Sequence, residues 1–373
     1  MPKANSQLSD AEKKAKKKLK AELKHQRKVQ KLETRIQHAI SRNDPIVEQS
    51  ARNELEELLR SSDRFPERRQ QETASIDEIQ CEASMQLVRD IFHRLLSAWD
   101  TKVQSFSKAE QNKRAKDLLQ HMTKGTQALD HFQDVTALRG YTRQKFYSRA
   151  GLIIESLGKL SPAQSSLSNQ RDVIDLCWKM LEKINRVCSI GCGPGCDAVG
   201  LLAFLRGYVP NHDVNSSMHF VLLDYAIDEW KDAVLDDLEP ILTQSFGSTV
   251  TCDHCDVTIS SLSVKHEQLI ATTDIFLTSY LLTETRDKWD AYFIQLVDKA
   301  KEGAVFYFAE PLPWQLHRLI KMSAPDSDSS LLQKLRFAWI DSSMNYPELQ
   351  ELDGRAGGPA VLLAIKTSTL NCT

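Results

Sequence analysis

The chain has 373 residues, 41% of them hydrophobic and 26% charged, with a formal net charge of −2. That length can bury at least one full core, while the apolar runs fall far short of the roughly 20 residues that a membrane-spanning helix requires. No apolar signal core opens the sequence and eight cysteines in so long a chain make no disulfide framework, so the expectation is an intracellular protein of cytoplasm or nucleus with reduced thiols.

The small net charge hides an asymmetry. Residues 1–40 carry twelve Lys/Arg against four Asp/Glu, which leaves residues 41–373 at −10. The lysine-rich run reads as a solvated, partly disordered arm or as a helix with basic faces. It could touch RNA phosphates, act as a nuclear-localisation patch, or be only a charged surface arm. Residues 41–165 read as a helical region with no strand signal. Asp44 and Pro45 make a helix start, followed by Val47, Ala51, Leu55 and Leu58 at helical spacing. Further helical patterns cover 76–99, 109–122 and 145–157, and a polar linker runs from Ser161 to Asn169.

From residue 170 to 373 the pattern changes. An apolar helical face (Val173, Cys177, Leu181, Ile184) leads straight into a short strand at 187–190. Strands at 219–223, 248–252, 273–279 and 303–309 then alternate with helices at 226–237, 286–301 and 313–322. Two last strands, 336–340 and 359–365, flank a connection containing Gly354, Gly357 and Gly358. Such alternation predicts an α/β protein with a mostly parallel sheet covered by helices on both faces.

The strand at 187–190 meets Gly191, Gly193 and Gly195, and a helical pattern follows through Ala198, Leu201, Leu202 and Leu205. A buried strand that turns sharply into a helix needs residues without a Cβ, for positive φ and for close backbone approach to a ligand. A dinucleotide-binding loop, G-x-G-x-x-G, would place its third glycine where this chain has Cys196. The spacing here is G-x-G-x-G. The segment resembles the loop of class I S-adenosylmethionine (SAM)-dependent methyltransferases. The resemblance implies a Rossmann-like seven-stranded methyltransferase sheet, mostly parallel with a C-terminal antiparallel hairpin, over residues 170–373. It implies SAM as cofactor, and a helical region (41–165) that caps the pocket or recruits substrate.

The same resemblance assigns candidate residues. Gly191, Cys192, Gly193 and Gly195 would pass close to the methionine part of the cofactor. Asp224, with Tyr225 after it, ends the second strand where the family's acid takes the ribose hydroxyls; helix N-capping is the competing reading. Asp256 and Val257 fit the place where an acid and the next N–H receive the adenine, with Asp253 as the alternative. Ser189 stands where many members have an acid for the ammonium group, a role that Asp197 or a residue from the helical region could take instead. Ser279, Tyr280 and Glu284 follow the fourth strand, where the transferring methyl group lies. Glu310 ends the fifth strand. Tyr280, Glu284 and Glu310 are therefore the catalytic candidates by position, against readings of a packed ring for Tyr280 and a helix cap for Glu310.

The acceptor is not legible. The Asn/Asp-Pro-Pro-Tyr tetrad of many amino-group methyltransferases is missing, as is the Lys-Asp-Lys-Glu set of ribose methylation. The segments 279–284 and 308–311 resemble methyltransferase-like proteins of ribosome assembly, without the cysteines those proteins use for a metal cluster. With the basic arm, this favours RNA or a ribonucleoprotein as partner. The alternative is a catalytically silent, SAM-binding or scaffold module. Cys192/Cys196 and Cys252/Cys255 do not match a zinc knuckle, so no metal is expected.

Overall fold

The computed structural model describes residues 76–100, 107–124, 129–161, 170–209, 217–259, 262–311, 313–323, 334–340 and 359–367. The chain divides into two compact units, 1–73 and 74–373, and every described residue belongs to the second. The basic arm, the helix expected after Asp44 and the connection at Gly354–Gly358 lie outside the described residues.

Three long helices come first: α1 (Ile76–Asp100), α2 (Lys108–Lys124) and α3 (Val135–Gly158), with a 3-10 turn at Leu129–Phe132 before the third. The pattern at 145–157 understated α3 by ten residues at its start and one at its end. Asp134 caps its start by accepting the N–H groups of Thr136 (2.9 Å) and Ala137 (3.2 Å). The helix is buried on most of its surface, from Leu138 to Gly158, so it lacks the one-sided stripe that reveals a surface helix.

After α4 (Arg171–Leu181) the sheet begins. Its strands are β1 (Arg186–Ile190), β2 (His219–Asp224), β3 (Thr249–His254), β4 (Ile275–Ser279), β5 (Val305–Glu310), β6 (Leu335–Ile340) and β7 (Ala360–Lys366). They lie in the order β3-β2-β1-β4-β5-β7-β6, parallel except for β7, which runs antiparallel to β5 and β6. This is the seven-stranded Rossmann-like sheet with a C-terminal antiparallel hairpin that the resemblance implied. The central strands are buried on both faces, as continuous apolar runs require, whereas β3 at the edge alternates outward threonines.

Alternate residues feed two cores. Val187, Phe220, Leu222 and Tyr307 face the layer that contains α1, α3 and α5 (Cys196–Tyr208). Cys188, Val221, Leu223, Phe306 and Phe308 face α10 (Asp290–Lys299) and α11 (Trp314–Met322). The N-terminal helices thus share a core with the sheet. Gly200 on α5 lets α3 approach so closely that a Cβ there would lie 2.5 Å from the Ala150 carbonyl oxygen. A buried hydrogen bond of 3.0 Å between Ser156 and Tyr307 ties α3 to β5.

Three helical segments differ from expectation. Residues 226–237 form α6 (Ile227–Trp230) and a π turn (Lys231–Leu235), and α7 (Asp236–Phe246) continues past Pro240. Proline sits in the second turn of α7, after the wide turn has already loosened the ladder. A short helix, α8 (Val264–Ile270), was not anticipated; the hydroxyl of Ser263 caps it. The expected single helix at 286–301 is a 3-10 turn (Arg286–Lys288) followed by α10, and an unanticipated short helix, α9 (Leu281–Glu284), precedes it.

A candidate cofactor and active site at the carboxyl edge

Register brings the carboxyl ends of β1, β2 and β4 level: Ile190 pairs with Leu223 on one side and Thr278 on the other. The chain order reverses between β1 and β4, and open α/β sheets bind ligands at such a switch point. A cavity of about 520 Å³ opens there, within the range of small-molecule sites.

The glycine loop forms its inner wall. Gly191, Gly193 and Gly195 have φ of 68°, 48° and 79°, left-handed values that a side chain rarely tolerates. The N–H groups of Gly191 and Cys192 both reach the Leu223 carbonyl, at 2.8 and 3.1 Å, and so hold the loop against β2. Gly193 donates to Asp224 at 2.8 Å, and the other oxygen of that carboxylate accepts from Ala226 at 2.9 Å. Each oxygen keeps further lone-pair capacity toward the cavity, which Asp224 lines. Asp224 therefore clamps loop to turn as well as facing the cavity. Burial raises its pKa, and the two N–H donors oppose the rise.

The outer wall comes from the segments after β2 and β3. Tyr225 is half exposed, with its ring 5.8 Å from His254. Asp256 and Val257 line the cavity, and Thr258 steadies Asp256 by two hydrogen bonds of 2.8 and 2.7 Å. Asp253, the alternative to Asp256, turns instead to Lys265 and His266 on α8. Gly191, Cys192, Gly193, Asp197, Asp224, Tyr225, Asp256, Val257, Ser279 and Glu284 all border this one space.

Four named residues do not. Ser189 is fully buried on the face of β1 that Val187 shares, so strand alternation turns it into the core under the helical layer, and it does not border the cavity. Gly195 packs under Leu235 and Leu238. Glu310 is fully buried at the end of β5, where its two oxygens accept the N–H groups of Leu282 (2.8 Å) and Thr283 (3.1 Å). It caps α9 and does not reach the cavity surface. Tyr280 is buried behind the wall, with φ 66°, a strained value for a non-glycine residue.

The inner end of the cavity gathers charge. Asp197, in the first turn of α5, is pushed up to about 6 by burial, against the pull of the Ser279 hydroxyl and of Arg149. Half-buried Glu284 is pushed up to about 8 by burial; Arg149 pulls it back, while Glu310 and Asp224 push it further. Arg149 projects from α3 and lies over the Tyr280 ring. Nothing local in the sequence marks Arg149, because only tertiary packing carries α3 across the sheet edge. Also unanticipated is an aromatic wall: Trp230 with Phe132 and Tyr141 at ring separations of 6.4 and 5.8 Å. A tryptophan six residues after the strand-end Asp224 was the one available signal. Among the described residues no group of three or more metal-ligating side chains converges. No described helix is long and apolar enough to cross a membrane.

No protein-family model matches the sequence, and no curated protein matches it. Solved methyltransferases match in part. An O-methyltransferase family protein from Burkholderia thailandensis is 11% identical over 70% of this chain and 72% of its own, with a TM-score of 0.35. The precorrin-6y C5,15-methyltransferase from Geobacter metallireducens is 10% identical over 52% and 88%, with a TM-score of 0.32. The O-methyltransferase TomG from Streptomyces achromogenes, solved with SAM, is 13% identical over 57% and 90%, with a TM-score of 0.30. By its strand order and its antiparallel β7, the chain has the Rossmann-like fold of the class I SAM-dependent methyltransferases.

Proposed function

We propose that this protein is a SAM-dependent methyltransferase whose acceptor is RNA or an RNA-associated protein. The observation that carries the reading is the meeting of two left-handed glycines, Gly191 and Gly193, with Asp224 and Asp256 on one cavity at the switch point. The residues present fit the cofactor. A Cβ on Gly191 would lie 2.9 Å from Leu281 and close the cradle, and Asp224 keeps lone pairs for two ribose hydroxyls. Asp256 and the Val257 N–H suit an adenine edge, and Asp197 offers a carboxylate for the ammonium group that Ser189 cannot reach.

Bound SAM supplies a methyl group on an already activated sulfonium. The chain's own work is to align the acceptor, exclude water and hold a proton. Glu284 suits the last task, because a carboxylate that titrates at about 8 exchanges a proton near neutral pH. Tyr280 and Glu310 act behind it: the ring supports Arg149, and Glu310 fixes the turn that carries Glu284. For the acceptor, the basic residues 1–40 offer phosphate contacts, and exposed Arg286 and Lys288 at the cavity rim add to them.

Titration calorimetry of the full chain with SAM and with S-adenosylhomocysteine tests the cofactor reading; heat of binding is expected for both. Incubation with labelled SAM and fractionated cell extract then tests the acceptor. Label removed by ribonuclease supports RNA, protease-sensitive label that co-fractionates with RNA supports an RNA-associated protein, and label on a protein free of RNA or on a small molecule rejects both. The buried Ser189, standing where an acid is common, favours a second reading as a silent cofactor-binding module. Tight binding with no label transfer to any fraction would select it.

A further inference from the structure

The amino-acid end of SAM carries a carboxylate, and the cavity that would receive it is acidic. Asp197, Asp224, Asp256 and Glu284 all border it. A carboxylate entering such a space needs a cation opposite it, or the cost of desolvating it beside like charges goes unmet. Among the described residues, the basic side chains that border the cavity are Arg149, Arg286 and Lys288. The last two are exposed on the loop after β4. Arg149 is half-buried, and its charge acts on Asp197, Cys196, Glu284 and Glu310 together, which places it over the first turn of α5 and the tip of β4.

We propose that Arg149 grips the carboxylate of the cofactor's amino-acid tail, so that the N-terminal helical layer completes the cofactor site. The proposal rests on the SAM reading above. A guanidinium has five N–H donors in a planar fork, so it can hold a carboxylate bidentately and still meet its neighbours in the chain. Its position is fixed from two sides. The backbone of the next residue, Ala150, is pressed against Gly200 of α5, and the Tyr280 ring lies beneath the guanidinium with its own backbone held at φ 66°. Strain of this kind persists only where the surroundings over-determine it.

The test compares SAM, S-adenosylhomocysteine and 5′-methylthioadenosine, which keeps the adenosine and thioether but lacks the amino-acid tail. Calorimetry on the full chain is expected to show Arg149→Met weakening the first two by roughly 10- to 100-fold, the range of a lost hydrogen bond between charged groups. Affinity for 5′-methylthioadenosine should stay within about twofold, and Arg149→Lys, which keeps the charge without the fork, should fall between. Equal losses for all three ligands would overturn the proposal, since Arg149 would then only shape the cavity, as would no loss for any. Wild-type protein that binds 5′-methylthioadenosine but not SAM would also overturn it. Wild-type protein that binds none of the three would instead sink the SAM reading on which it stands.

Discussion

Asp224 both clamps the glycine loop and borders the cavity. Its carboxylate already accepts the Gly193 and Ala226 N–H groups, so Asp224→Ala removes a clamp on the glycine loop together with the proposed ribose contact. The expected loss in SAM affinity is about 1–3 kcal/mol, the scale of hydrogen bonds to a charged group. Calorimetry reads it directly, and an unchanged affinity would remove the ribose contact from the proposal. The glycines, Asp224 and Asp256 were legible because strand, turn and acid follow one another within a few residues. Where the sequence misled, facing was the cause. Ser189 and Glu310 stand at strand positions whose side chains enter the cores, and alternation at a strand tip shows only once the neighbouring strands are in place. Arg149 and the Phe132–Tyr141–Trp230 wall arise from packing between segments far apart in the chain, so apart from the place of Trp230 after Asp224 no local spacing could reveal them.

At the scale of elements, strands were the readable part. Each observed strand begins and ends within about two residues of its expected run; in the central strands burial on both faces leaves an unbroken apolar signal, and in β3 alternation marks the edge. Helices were harder, and α3 shows why: packed by α2 and α5, it has little polar face to set the period. The contact between α3 and α5 makes a prediction whose sign depends on magnitudes. Alanine for glycine inside a helix ordinarily gains up to about 1 kcal/mol. At Gly200 the new methyl would lie 2.5 Å from the Ala150 carbonyl oxygen and 2.9 Å from its Cα, both backbone atoms that cannot swing aside. Overpacking of that kind costs about 1–3 kcal/mol, so Gly200→Ala should be destabilising on balance. A lowered urea midpoint is the expected reading. A raised one would mean that the two helices separate at no cost. Because Arg149 neighbours Ala150, SAM affinity should fall as well.

At the scale of the whole molecule, the cavity's carboxylates should write themselves into the pH dependence of stability. Glu284 titrates at about 8 and Glu310 at about 7 in the folded protein, both raised first of all by burial, whereas an unfolded chain ionises glutamates near 4.3. Between those values the folded state holds protons that the unfolded state has released. Stability is then fully present below the unfolded values and is lost as pH rises through the folded ones. Asp197, at about 6, acts in the same direction at lower pH. His219, whose pKa is lowered by burial, acts in the opposite direction, but only below its ordinary value near 6.5. The buried thiols, raised in their turn, enter only as pH approaches their ordinary value near 8.5. Among the described residues, the window from 6.5 to 8 is therefore governed mainly by the two glutamates. Urea unfolding of the ligand-free protein across it should show stability falling with rising pH. Glu284→Gln removes one titrating group while keeping its shape, and should flatten that fall by up to about one bound proton. A wild-type profile that is level or rises through the window would show that the carboxylates are hydrated rather than enclosed. A variant as steep as the wild type would locate the proton on Glu310, away from the cavity surface, and would leave Glu284 ionised and poorly suited to exchange a proton with the acceptor.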